Sequence, residues 1–160
     1  MAMIRVVLTA AAIVFVCLMV HVAGIMLMAE WLLEKRDYFE RNATKRHFGL
    51  LIIGLFSCVV FLHLVQTGLW ALFYYAQGLF SDIETSLYFS MVSFATIGYG
   101  DVLLPSRWRL LGVVEGFAGV ILVGISTAFI FAVVNAMLQV RIQRRSKQNQ
   151  PPSPAQSSRL

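Results

Sequence analysis

The sequence is short of charge, of cysteine and of metal-ligating or nucleophilic clusters. Only 13% of its 160 residues are Asp, Glu, Lys or Arg, about half the share of a soluble domain, while 59% are hydrophobic. So few charges cannot cover a water-facing surface, which excludes an ordinary soluble fold and makes lipid the solvent for most of the chain. The two cysteines, Cys17 and Cys58, both lie inside apolar runs. They exclude a disulfide-built scaffold and read as small buried hydrophobes. No nucleophile arrangement, metal cluster or phosphate-binding loop stands in the sequence, so neither an enzyme nor a cofactor is expected. The net charge of +5 would suggest nucleic acid on a soluble chain. Here ten of the 13 basic residues fall in two short segments: Lys35, Arg36, Arg41, Lys45 and Arg46, then Arg141, Arg144, Arg145, Lys147 and Arg159. Both abut apolar runs, the pattern of cytoplasmic membrane-protein loops, so no nucleic-acid partner is expected.

Three runs are long enough to cross a bilayer. Residues 6–29 carry no charge and, as a helix, reach roughly 36 Å. The run is too long for a signal-peptide core and lacks a small-x-small cleavage site, which favours a membrane helix over a leader. His21 within it reads as a hydrogen-bonded or snorkelling histidine rather than a proton relay. Residues 30–47 are polar and could hold an interfacial helix with Trp31, Leu32, Tyr38 and Phe39 toward lipid. Asn42 formally begins a glycosylation acceptor, but its basic flanks put it in the cytoplasm. A second run, 48–75, ends in Trp70, Phe73, Tyr74 and Tyr75, an interfacial aromatic girdle, and its His63 and Gln66 are expected to face other helices. The third, 108–140, at roughly 50 Å must tilt, bend or project. Its glycines Gly112, Gly116, Gly119 and Gly124 allow a close backbone neighbour or a bend. Beyond Arg141 the Gln, Ser, Pro and basic composition predicts disorder.

Residues 81–106 are too apolar for an outside loop and too short to cross and return, which leaves a re-entrant segment. Ser81-x-x-Glu84 reads as a capping box and Asp82 as first-turn negative charge, starting a helix that reaches about Ala95, roughly 21 Å long. It is interrupted by Thr96-Ile97-Gly98-Tyr99-Gly100-Asp101. Irregular backbone at membrane depth survives only where protein buries it or water lines it. For successive carbonyls to face one axis, alternate residues must leave the right-handed region. Gly98 and Gly100 do so without a Cβ clash, and Thr96 adds a hydroxyl oxygen.

Thr96 to Asp101 matches the T-[VI]-G-Y-G-D signature at every position, and the chain here resembles the potassium channels, specifically the two-helix pore module of bacterial and tandem-pore members. The likeness covers 48–140, in the order outer helix, pore helix, selectivity filter, inner helix. It implies an all-α membrane protein with three transmembrane helices, a re-entrant pore helix and a filter, assembled as a homotetramer. It further implies that K⁺, the permeant ion, binds the carbonyls of Thr96, Ile97, Gly98 and Tyr99, with Gly100 completing the filter. Tyr99 would brace the filter against Tyr88 and Phe89, where relatives often have tryptophans. Asp101 would lie behind the outer mouth; some relatives pair it with a pore-helix acid, but Val92 holds that position here. Gly119, then Gly124, are the gating-hinge positions, with helix packing the competing role for either.

Glu115 is the single charged side chain of the third run beyond Arg109 at its start, about 10 Å inward of Trp108. It is expected to accept hydrogen bonds from the pore helix, at Ser90 or Ser93, and support the filter from behind. Val123, Thr127, Phe131 and Asn135 form a row that could line a cavity. The filter direction puts the N-terminus outside and the C-terminus in the cytoplasm of a plasma membrane, a bacterial inner membrane given the compact chain. The expected organisation is an N-terminal helix (1–33), a basic linker (34–47), the pore domain (48–140) and a basic tail (141–160). Anionic lipid is a candidate partner for Arg141, Arg144, Arg145 and Lys147, and protons at His21, His63 or Glu115 are candidate gating inputs. A non-conducting accessory subunit, a weakly selective cation channel and a potassium-transporter subunit are the competing functions; the last is disfavoured because this chain carries one pore repeat rather than four.

Overall fold

The computed structural model describes residues 2–35 and 45–148. Expectations that fall on Arg36, Tyr38, Phe39, Arg41, Asn42 and Arg159 lie outside the described residues. Four α-helices occur among the described residues: α1 Ala2–Glu34, α2 Lys45–Ala76, α3 Ile83–Phe94 and α4 Arg109–Gln148, the last entered through a 3-10 turn, Ser106–Trp108. No strand occurs among the described residues. The segments Met3–Glu34, Arg46–Ala76 and Ser106–Gln143 are each long and apolar enough to cross a membrane, so this is a multi-pass membrane protein. With 12 residues, α3 is about 18 Å long and too short to cross.

Each span folds as helix because lipid offers backbone amides no partners. Hydroxyl side chains obey the same rule by bonding the previous turn: Thr9 Oγ1 donates to Arg5 O, Ser57 Oγ to Ile53 O and Thr127 Oγ1 to Val123 O, all at 2.8–2.9 Å. Two boundaries differ from the sequence reading. The N-cap of α3 is Asp82 rather than Ser81: its Oδ1 accepts from Thr85 N at 2.7 Å and its Oδ2 from Thr85 Oγ1 at 2.9 Å. Ser81 Oγ only donates to that carboxylate, at 2.8 Å. A carboxylate with several donors outcompetes a lone serine hydroxyl as a cap, and these bonds, the Thr85 amide first, hold the Asp82 carboxyl below its ordinary range. The second difference is at the C-terminus, where α4 runs to Gln148 and the expected disorder is corrected over 141–148. Arg, Gln and Lys are good helix formers, and no proline intervenes before Pro151.

α1 packs on α2 and α4, and α3 is seated between α2 and α4. The buried cluster draws Val6, Ala10 and Cys17 from α1, Trp70 and Tyr74 from α2, Phe89 and Phe94 from α3, and Leu111 and Leu122 from α4. Cys17 is buried as expected, but Cys58 is exposed on the outer side of α2, where in lipid a small apolar thiol incurs no burial requirement. Outer faces carry Phe15, Leu27, Phe56 and Phe61, all more than half exposed, as lipid-facing positions should be. The glycine stripe of α4 faces α3. A Cβ at Gly112 would lie 3.0 Å from Phe89 Cζ, at Gly116 2.9 Å from Ser93 O, and at Gly119 2.3 Å from Phe94 O, whereas Gly124 faces open space. Close approach to the last turn of α3 is what Gly116 and Gly119 permit.

Candidate functional site

The 96–101 segment begins where α3 ends. Its first amides fold back onto the last turn of that helix: Thr96 N–H donates to Ser93 O and Ile97 N–H to Val92 O, both at 2.9 Å, and Gly98 N–H to Val92 O at 3.4 Å. These bonds fix the entry angle of the strand-like stretch that follows. Every second residue in it then has a positive φ: Thr96 at 57°, Gly98 at 59° and Gly100 at 79°. An alternating hand turns successive carbonyls to one side instead of to opposite sides, which ordinary extended backbone does not do. Glycine takes such angles freely, while a β-branched threonine is strained there by about 1–3 kcal/mol and must be held by its surroundings. The Ser93 carbonyl and the α4 backbone at Gly116, whose Cβ position lies 3.6 Å from Thr96 Cγ2, do the holding. Within the single chain, residues 95–101 are exposed; Ile97 is 53% and Tyr99 70% exposed.

The residues expected to support this segment fall in two layers. At the one beside Asp101, Tyr88 Oη donates to Asp101 Oδ2 at 2.6 Å, and Val102 N–H to Asp101 Oδ1 at 3.0 Å. Tyr88 thus takes the place that an acid on α3 would have taken toward Asp101, and the partner is one turn N-terminal to Val92. The Tyr88 hydroxyl bond holds the Asp101 carboxyl below its ordinary value, and the same bond pushes the Tyr88 phenol up. Phe89 is turned inward instead, edge-on to Tyr74 at 5.3 Å and 5.1 Å from the Phe80 ring.

The deeper layer is centred on Glu115, which is fully buried. Its Oε2 accepts from Tyr74 Oη at 2.6 Å, and its Oε1 lies 2.5 Å from Ser90 Oγ. Ser90 Oγ is also 2.8 Å from the Thr67 carbonyl oxygen. Ser90 owns one hydroxyl proton and has two oxygens to satisfy. Both contacts are hydrogen bonds at once when Glu115 carries an acid proton and donates to Ser90, while Ser90 donates to Thr67. A neutral carboxylic acid therefore satisfies all three contacts and leaves no charge inside the bundle. This one group ties α2, α3 and α4 together directly behind the 96–101 segment.

The structure joins Glu115 to Ser90 as the sequence led us to expect, and adds Tyr74, which sequence reading placed only in an interfacial girdle. Nothing local pairs two residues 41 positions apart; a fully charge-free turn holding one acid was the sole signal that a donor had to come from elsewhere. His63 and Gln66 do face other helices, and His21 is hydrogen-bonded rather than snorkelling. Val123, Thr127, Phe131 and Asn135 are all exposed on one side of α4, uncovered by the helices of the same chain. Arg141 lies 5.6 Å from the Phe48 ring; Arg144, Arg145 and Lys147 continue the same helix.

No curated protein and no solved structure gives a match to the sequence. The family described as "Ion channel" matches residues 50–136, more than half of the chain, from the first turns of α2 through α3 and the 96–101 segment to the last third of α4. That match points to transport rather than catalysis, and with the membrane-spanning helices it places the chain in the ion channel family.

Proposed function

We propose that the chain is a potassium-selective channel subunit that conducts K⁺ passively across a plasma membrane through a homotetrameric pore. The carrying observation is the alternation of positive φ at Thr96, Gly98 and Gly100 within a TIGYGD sequence at the end of a helix too short to cross. In this reading α3 is the re-entrant pore helix, residues 48–140 are the pore domain, and the carbonyls of Thr96, Ile97, Gly98 and Tyr99 hold dehydrated K⁺. The exposure of 95–101 in the isolated chain supports assembly, since bare backbone at membrane depth needs protein or a water-filled path around it. Tyr99 is then covered by a neighbouring subunit, and the exposed row from Val123 to Asn135 faces the cavity. Tyr88 with Asp101 steadies the outer mouth, and Glu115 with Tyr74 and Ser90 steadies the filter from behind. Gly119 is the preferred hinge and Gly124 the second; the basic end of α4 at Arg141, Arg144, Arg145 and Lys147 meets anionic lipid in the cytoplasm, with the N-terminus outside.

Potassium flux from liposomes holding the purified chain tests this. Flux should survive in K⁺, fall by at least tenfold when Na⁺ replaces it, and vanish in Gly98→Ala. Within its own chain a Cβ at Gly98 meets nothing within 4 Å, so the intrachain cost of that variant is forcing alanine to a φ of 59°, about 1–2 kcal/mol per subunit. Equal Na⁺ and K⁺ flux, or none, refutes the proposal.

A further inference from the structure

Beneath α3, four polar side chains from all three spans meet in a closed circuit. Gln66 Nε2 lies 3.0 Å from His21 Nδ1 and 3.2 Å from the Cys17 carbonyl oxygen, and Gln66 Oε1 lies 2.9 Å from His63 Nδ1. Ser126 Oγ closes the circuit at 3.3 Å from His21 Nε2 and 3.2 Å from His63 Nε2. The imidazoles are stacked with centroids 5.4 Å apart. His21, Gln66 and Ser126 are buried.

The donors can be assigned without ambiguity. A carbonyl oxygen only accepts, so the Gln66 group facing Cys17 O must be its NH₂, which fixes the amide orientation. That NH₂ also donates to His21 Nδ1, so the His21 proton is on Nε2 and is donated to Ser126. Gln66 Oε1 accepts from His63, whose proton is therefore on Nδ1, leaving His63 Nε2 to accept the Ser126 hydroxyl. Every donor points the same way around the circuit, and each histidine needs a different tautomer. The circuit closes when both rings are neutral. A second proton at His21 Nδ1 would meet the Gln66 N–H and break that link, whereas one at His63 Nε2 only turns the Ser126 hydroxyl away and makes Ser126 Oγ the acceptor from both rings. Two cations 5.4 Å apart would also repel each other in a poorly solvated place.

We infer that this circuit is a proton-operated latch between α1 and α4: closed when neutral, and released as acid protonates His21. Ser126 is the α4 half of the latch. The groups facing it are Cys17 and His21 from α1, His63 and Gln66 from α2, and the Phe94 ring, 5.5 Å from His63, from α3. The nearest acid along α4 is Glu115, eleven residues away and about 16 Å along the axis. Phe94 is also the residue whose carbonyl touches Gly119, so release of α1 acts where α4 is tucked under α3. The latch's link to ion flow rests on the channel reading above; its own existence does not. Because the closed form binds fewer protons, it is retained at neutral and alkaline pH and lost on acidification.

The test uses the full chain in liposomes. ¹⁵N spectra at pH 7.5, assigned with His21→Gln and His63→Gln, should show His21 as the Nε2–H tautomer and His63 as the Nδ1–H tautomer. Spin labels on Met19→Cys and Ile125→Cys, exposed positions of α1 and α4, in a Cys58→Ser background diluted with unlabelled chain, should move apart by about 2 Å or more between pH 7.5 and pH 5. Ser126→Ala should show the acid distance already at pH 7.5. Identical tautomers, or a distance that ignores both pH and Ser126→Ala, overturns the latch. Potassium flux on the same samples should rise severalfold at pH 5; absent flux at both pH values sinks the channel reading while the spectra and distances still decide the latch.

Discussion

Replacing Gly119 by alanine sets two effects of known size against each other. In a helix interior alanine is favoured over glycine by about 0.8–1 kcal/mol, so an innocuous site gains stability. At Gly119 the added Cβ would stand 2.3 Å from the Phe94 carbonyl oxygen, a backbone atom that no rotamer change can move. A tolerable carbon–oxygen approach is about 3.3 Å or more, so α4 and the end of α3 must separate by about 1 Å. Overpacking of that kind costs about 1–3 kcal/mol. It also disturbs the turn whose Ser93 and Val92 carbonyls hold Thr96 and Ile97. Gly124 is the matched control, because its Cβ would meet nothing within 4 Å. Denaturant unfolding of the reconstituted chain should show Gly124→Ala slightly stabilised and Gly119→Ala destabilised, a difference of about 1–3 kcal/mol. K⁺ flux should fall further in Gly119→Ala than in Gly124→Ala. Equal stabilities for the two variants would refute the close-packing account of the glycine stripe and leave a pure hinge as the reason for Gly119.

Three further outcomes follow from the site. Glu115→Gln keeps one donor for Ser90 and one acceptor for Tyr74, so it should retain most stability and flux. Glu115→Ala orphans the Tyr74 hydroxyl, removes the donor to Ser90 and leaves a cavity, costing about 2–4 kcal/mol in the same unfolding assay; a Gln variant as damaged as the Ala variant would mean that the buried group is an anion. Tyr74→Phe should cost about 0.5–1.5 kcal/mol and should be additive with nothing at Glu115, so a double-mutant cycle reads the coupling directly. Tyr88→Phe removes the bond that holds the Asp101 carboxyl down. The lowered value keeps the wild-type carboxylate charged to lower pH than an ordinary aspartate, so as the outer bath is acidified flux should fall at a higher pH in Tyr88→Phe than in wild type. An unaltered acid response in that variant would remove Asp101 as its origin.

How much was readable in advance varies with the range of the interaction. The hexamer from Thr96 to Asp101 was legible because its constraint is local: two glycines and a threonine at alternate positions suit one backbone hand, and the positive φ values fall on those three residues. The start of α3 was nearly legible, off by one residue because Asp82 and Ser81 are both good caps and only the donors of Thr85 decide between them. The end of α4 was misread because a polar, basic composition was equated with disorder, although its residues carry high helix propensity until the prolines arrive. The partners of Asp101 and Glu115 were half legible. Ser90 was within reach of a depth argument along the helix; Tyr88 and Tyr74 were not.

The sequence by itself determined that lipid is the solvent, that three helices cross it, and where the chain must break its helical pattern. These depend on run length, charge and glycine position, and lipid enforces them residue by residue. Tertiary structure alone decided which faces meet: Tyr74 on Glu115, Ser126 between His21 and His63, Gly119 under Phe94. The spans are apolar on nearly every side, so no amphipathic stripe marks the inward face, and the rotation of each helix about its axis is set only when a few buried polar groups find one another.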